Sequence, residues 1–122
     1  MPKLIKIPTF SDHRGDLSVI ESLADFDIKR IYYIYNLNDE ERGGHRHKKT
    51  KQLLIAVNGS CDIYCQDKTL EYFYKLDSPR QCLFLNPEDW HKMSNFSNDC
   101  VLLLIASEEY SEDDYINEKW TK

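Results

Sequence analysis

With 122 residues, the chain has room for one domain, residues 1–122, and not for a second. A formal net charge of -5, from 16 Lys and Arg against 21 Asp and Glu, excludes nucleic acid held by an overall basic surface. The longest apolar run, Val101 to Ala106, is too short to cross a bilayer, and MPKLIKIPTF lacks the apolar core of a secretion signal; the expectation is a cytoplasmic protein that does not enter membranes.

Strand signals dominate the chain. Lys3 to Pro8 alternates apolar and polar residues, and Gly15 to Ile20 follows the turn-rich Ser11-Asp12-His13-Arg14. Lys29 to Leu37 alternates as well, with Ile31, Tyr33, Tyr35 and Leu37 on one face and Arg30, Tyr32, Ile34 and Asn36 on the other. Gln52 to Val57 is a compact apolar strand, and Asn58-Gly59 predicts a hairpin into Ser60 to Cys65. Leu70, Tyr72, Tyr74 and Leu76 share one face of the next strand. Cys82 to Leu85, Trp90 to Phe96 and Cys100 to Ser107 complete the series. Short strands at this spacing predict an all-β sandwich or barrel. The one helical signal comes last: Ser111 caps a short C-terminal helix whose first turn is Glu112, Asp113 and Asp114, with Tyr115 and Trp120 docking it. The acidic tail reads as a capped terminus and no more.

The four cysteines are Cys61, Cys65, Cys82 and Cys100. Cys61 and Cys65 lie roughly 13 Å apart on an extended strand, beyond disulfide reach, and all four read as packed, reduced thiols.

Chemistry concentrates in Gly44-His45-Arg46-His47, followed by Lys48 to Lys51, Gln52 and then Gly59. On a strand, His-x-His places both imidazoles on one face, roughly 7 Å apart. That spacing suits joint binding of one small substrate or one metal ion. Arg42, Arg46, Lys48, Lys49 and Lys51 surround the pair. Alone they read as a solvated turn; beside two histidines they equally suit an anion.

This segment resembles the first motif of the cupin superfamily, with Gln52 standing where an acid belongs. The stretch from Pro87 to Asn95 echoes the second motif, keeping His91 and Asn95 at the expected spacing, with Asp89 in place of a glycine. The resemblance implies a cupin-type double-stranded β-barrel, or jelly roll. Two chemistries then separate. A metal-dependent cupin enzyme would ligate an ion through His45, His47 and His91, with Gln52 a weaker ligand than the missing carboxylate. Without a metal, the histidines would serve as acid and base, since imidazole titrates near neutrality.

A longer resemblance favours the second option. The chain is similar to the nucleotide-sugar 3,4-ketoisomerases in Phe26 to Ile34, Arg42 to Lys49, Gln52, Asn58 to Ser60, Asn95-Phe96, Asp99 to Leu103, Ala106 to Glu108 and Asp113 to Ile116. It departs at Arg46, where a small residue is usual, and at Glu109-Tyr110-Ser111. The resemblance implies an isomerase that acts on dTDP-4-keto-6-deoxyglucose and needs no cofactor or metal. Proton removal from C3, α to the C4 ketone, gives an enediol, and proton return to C4 gives the 3-keto sugar. It implies catalytic roles for His45, His47 and Tyr33, and substrate contacts for Arg42, Lys48, Gln52, Arg14 and His91. Arg42 and Lys48 are the candidates for the diphosphate.

Arg14 and His91 resemble the branch forming a galacto-type product, dTDP-6-deoxy-D-xylo-hex-3-ulose, on the way to an amino sugar such as dTDP-Fuc3NAc. The gluco-forming branch tends to carry tyrosine and arginine at those places. The resemblance further implies a homodimer with exchanged N-terminal strands, for which Lys3 to Pro8 is the candidate. A sugar-binding cupin without catalysis is the third reading.

Overall fold

The structure, a computed structural model, describes residues 1–23 and 25–121. Twelve strands run in chain order: β1 (Lys3–Lys6), β2 (Thr9–Asp12), β3 (Gly15–Ser18), β4 (Arg30–Ile34), β5 (Arg42–His47), β6 (Gln52–Asn58), β7 (Cys61–Gln66), β8 (Glu71–Leu76), β9 (Gln81–Leu85), β10 (Trp90–Ser94), β11 (Val101–Ala106) and β12 (Tyr115–Ile116). They form two five-stranded sheets, ordered β1-β9-β6-β11-β4 and β12-β5-β10-β7-β8, with β2-β3 as a separate hairpin. Every pairing is antiparallel. This is the expected all-β jelly roll.

Alternation along each strand decides what lies between the sheets. Leu54, Ala56, Leu83, Leu85, Leu102 and Leu104 from the first sheet meet Cys61, Ile63, Cys65, Leu76 and Met93 from the second. Each buried leucine contributes about 1.5–3 kcal/mol. The first sheet is covered on its other face too. There Ile7, Leu53, Ile55, Cys82 and Ile105 pack under Ile20, Leu23 and Phe26, which explains why β6 reads as a continuous apolar run. All four cysteines are buried free thiols. Gly59 has φ +68°, and a Cβ there would lie 2.8 Å from Cys100 Cα. The Asn58-Gly59 hairpin thus depends on a residue without a side chain.

Two expectations need correction. The C-terminal helix is a single 3-10 turn over Glu112–Asp114, and Ser111 makes no side-chain cap bond. The acids that suggested a helical first turn include one that is buried, Asp114. The segment Ser11 to Arg14 is not a plain turn, because Thr9–Asp12 pairs with Gly15–Ser18. Strand β1, the candidate for exchange, pairs with β9 of its own chain.

The β2-β3 hairpin stands as an arm with Phe10 and Leu17 paired across it, 66% and 59% exposed. On β4, an edge of the first sheet, Ile31 and Tyr33 are also exposed. Among the described residues, no helix is long and apolar enough to cross a membrane.

Candidate active site

Strand β5 carries the two predicted histidines, and β10 lies beside it with His91 directly opposite His45. The register slips between His91 and Lys92. Gly43 makes that slip possible: it has φ +87°, and a Cβ there would stand 3.0 Å from the His91 carbonyl oxygen. The three imidazoles consequently share one inner face. Ring centroids lie 5.0 Å apart for His45 and His47, 4.9 Å for His45 and His91, and 6.2 Å for His47 and His91. One ring nitrogen from each lies within 4.8 Å of the others.

The rings of His47 and His91 are held in one tautomer. His47 Nδ1 lies 2.9 Å from Asp114 Oδ2, and a carboxylate can only accept, so Nδ1 donates. Asp114 also accepts from the Lys49 N–H at 2.8 Å and from the Thr50 hydroxyl. His91 Nδ1 donates to the Asp89 carbonyl at 3.0 Å. The Nε2 atoms of both rings are therefore unprotonated, and His47 Nε2 is buried without a partner among the described residues.

Burial and then the neighbouring His47 pull the His45 pKa down to about 4. Burial, with His45 as the next cause, pulls His91 down to about 3. Burial also lowers His47, against the opposing pull of Asp114. Burial pushes the Asp114 carboxyl up, but its bonds from Thr50, Lys49 and His47 outweigh this and hold it below the usual range. The cluster is thus a set of neutral imidazoles at neutral pH.

Other predicted residues are placed unevenly. Gln52 is buried, and its Nε2 donates to the Tyr32 hydroxyl at 3.0 Å. Tyr33 does not join the histidines: it is 60% exposed, on the face of β4 opposite to Tyr32. The alternation was legible, but the more apolar set, Ile31, Tyr33 and Tyr35, is the outer one, and Tyr32 takes the inward place. Arg14 is exposed at the tip of the hairpin arm and paired with Asp12 at 2.6 Å. Arg42 and Lys48 are both exposed and lie six residues apart, roughly 20 Å along extended chain, so they meet different parts of any ligand. Arg42 is near enough to act electrostatically on Tyr32. Lys48 instead lines a groove of about 750 Å³ with Lys29, Lys49, Tyr110 and Asp113.

Several residues at the site were not predicted. Asp114, expected in the first turn of a terminal helix, is buried beside His47. Tyr115, expected to dock the tail, packs its ring 4.6 Å from His45 and 4.7 Å from His47. Arg30 lies 4.0 Å over the Tyr32 ring and acts electrostatically on His47. The available signal was that Asp114 and Tyr115 fall within a block the ketoisomerase resemblance had picked out. Arg46 points away, as its strand position required, and stacks 3.8 Å from the Trp120 ring.

Known proteins share this chain's family and fold. The family model FdtA, described as WxcM-like, C-terminal, matches residues 1–121. A TDP-4-oxo-6-deoxy-alpha-D-glucose-3,4-oxoisomerase from Aneurinibacillus thermoaerophilus is 43% identical, over 95% of this chain and 86% of the relative. The 3,4-ketoisomerase QdtA from Thermoanaerobacterium thermosaccharolyticum has been solved as a double mutant with TDP. That structure is 42% identical, with a TM-score of 0.92, covering 96% of this chain and 87% of the other. A second QdtA structure, a histidine-to-asparagine mutant with TDP-4-keto-6-deoxyglucose, is 41% identical with a TM-score of 0.91 and the same coverage of both chains, 96% and 87%. A 3,4-ketoisomerase from Helicobacter canadensis is 39% identical, with a TM-score of 0.90 over 96% of this chain and 90% of the other.

The lowered histidine pKa values predict an acid-sensitive fold. The unfolded chain takes up protons at these histidines below about pH 6.5, while the folded chain resists them until about 4 at His45 and about 3 at His91. Stability is therefore full above about pH 6.5 and declines as pH falls toward those lower values, with Asp114 acting in the same direction at still lower pH. Urea unfolding at about pH 7 and about pH 5 should show a loss of roughly 2 kcal/mol from His91, with less from half-buried His45 because solvent screens it. His91→Asn should lose less between the two pH values. Equal stability at both would contradict the lowered values.

Proposed function

The chain belongs to the FdtA family, and from that premise we propose that it is a nucleotide-sugar 3,4-ketoisomerase acting on dTDP-4-keto-6-deoxyglucose. The carrying observation is the group of neutral imidazoles converging on one inner face, with His47 and His91 locked to present bare Nε2 atoms. A base that is unprotonated at neutral pH is what abstraction of a proton α to a ketone requires. His45, the least buried of the three and in contact with both others, takes the C3 proton and returns it to C4. His47, oriented by Asp114, presents a second bare Nε2 beside it as a hydrogen-bond acceptor for the sugar. The sugar is oxidised at C3 and reduced at C4 internally, so no redox partner enters. Gln52 and Tyr32 bound the sugar, and Arg42 and Lys48 meet the nucleotide and diphosphate at separate points. Residues 1–122 act as one catalytic unit, working in the cytoplasm on a soluble substrate.

The working form is a homodimer. The exposed Phe10 and Leu17 of the arm and the exposed Ile31 and Tyr33 of edge strand β4 form apolar patches that a second copy would cover. Exchange of the β2-β3 arm, in place of β1, would carry Arg14 to the partner's site, where its own chain does not bring it. With Arg14 and His91 in the site, the product is the galacto-type dTDP-6-deoxy-D-xylo-hex-3-ulose, made in a deoxyamino-sugar route. The QdtA double mutant with TDP is a relative of known fold in which such determinants can be compared. Sedimentation should give a particle of about twice 14.5 kDa; a monomer would remove Arg14 from the site.

One observation favours a second reading, a metal-dependent cupin enzyme. Three histidine nitrogens within 4.8 Å, two with the other nitrogen donating outward, are also prepared to ligate a divalent ion. Proton NMR of dTDP-4-keto-6-deoxyglucose in D₂O with metal-stripped protein separates the two. Deuterium at C3 of the substrate or C4 of a 3-keto product is expected, with the C4 coupling showing a galacto configuration, and His45→Asn or His47→Asn should lower turnover at least about 100-fold. Turnover only after metal is restored would support the second reading, and none in either case would leave a sugar-binding barrel.

A further inference from the structure

Isomerisation needs an acid as well as a base. As the C3–H bond breaks, its electron pair forms the C3–C4 double bond, and the π pair of the C4 carbonyl moves to O4, which must take a proton. The histidines are poorly placed to give one. His47 and His91 have committed their Nδ1 protons to Asp114 and to the Asp89 carbonyl, so the Nε2 atoms they turn inward accept protons and do not donate them.

A phenol ring packs against the same imidazoles. Tyr115 has its ring 4.6 Å from His45 and 4.7 Å from His47. Its backbone is registered opposite His47 in the β12-β5 pair, and it directly follows Asp114, the residue that orients His47. Tyr32 is a poorer candidate, because among the described residues its ring contacts neither histidine and instead lies under Arg30, while its hydroxyl accepts from Gln52 Nε2. As a class, phenols hold their proton at neutral pH and can donate it.

We propose that Tyr115 is the proton donor to the C4 oxygen, and the group that then takes the C3 hydroxyl proton. This rests on the ketoisomerase reading above. The balance closes: the C3 proton passes to His45, and O4 receives the Tyr115 proton to give the enediol. Tyr115 then recovers a proton from O3 as the C3 carbonyl forms, and His45 delivers its proton to C4. One proton has moved from C3 to C4 and one from O3 to O4, and both side chains are restored. Tyr115 serves the oxygens and His45 the carbons.

The test compares Tyr115→Phe with the wild type on dTDP-4-keto-6-deoxyglucose. The phenyl ring preserves the packing on both histidines, so TDP binding and KM should change by less than about threefold while kcat falls at least about 100-fold. A second variant carries 3,5-difluorotyrosine at position 115, nearly the same shape with a more acidic hydroxyl. Its kcat profile should lose activity on the alkaline side at lower pH than the wild type, a shift that a packing role would not cause. An active wild type with a Tyr115→Phe kcat within threefold, or an unmoved alkaline limb, overturns this inference alone. A wild type that leaves the keto sugar unchanged overturns the ketoisomerase reading, and this inference with it.

Discussion

The carboxylate of Asp114 organises this site. It accepts from His47 Nδ1, from the Lys49 backbone and from the Thr50 hydroxyl, tying the chain after β5 to the C-terminal segment in one buried cluster. Without it, His47 would be a buried imidazole free to turn over or to change tautomer. With it, the ring is fixed, Tyr115 follows directly into a strand pair with β5, and the tail is laid across the outer face of the second sheet. There Trp120 Nε1 donates to the Glu88 carbonyl and Trp120 stacks with Arg46. The same turn that meets Trp120 supplies the Pro87 carbonyl to the His47 N–H, at 2.7 Å, and the Asp89 carbonyl to His91. Both fixed histidines are therefore set by backbone groups and by one carboxylate.

Packing the imidazoles together in a half-closed face has an electrostatic consequence. A charge on any of them would lose solvation and repel its neighbours, so burial keeps all three neutral through the neutral range. Neutral imidazoles can accept protons, which suits carbon-acid chemistry, but they bring acid sensitivity to the fold. The binding site thus carries a stability cost that an apolar core would not.

Much of the architecture was legible because antiparallel strands alternate. The series of strands along the chain, the Asn58-Gly59 hairpin and the common face of His45 and His47 all follow from a period of two residues and a turn dipeptide. Alternation says which residues share a face, however, and not which face is inside. Tyr33, a candidate through the ketoisomerase resemblance, lies on the outer and more apolar face of β4, and Tyr32 takes the inward place. Asp114 was hidden for a related reason: it sits among Glu112 and Asp113, and only the 3-10 turn turns one of three adjacent acids inward. Strand β2 was missed because Phe10 and Leu17 bury little within their own chain, so the segment lacks the pattern of a strand on a core. His91 was found through motif spacing, although its tautomer depends on a backbone carbonyl that no residue type announces.

Locked, neutral histidines underlie the proposed proton transfers, and long-range ¹H–¹⁵N correlation of the ring nitrogens at about pH 7 tests this most directly. His47 and His91 should each show a protonated Nδ1 and an unprotonated Nε2, and His91 should stay so as pH is lowered to about 5. A protonated Nε2, or a charged ring at either position, would contradict the arrangement from which the proposed proton transfers are drawn.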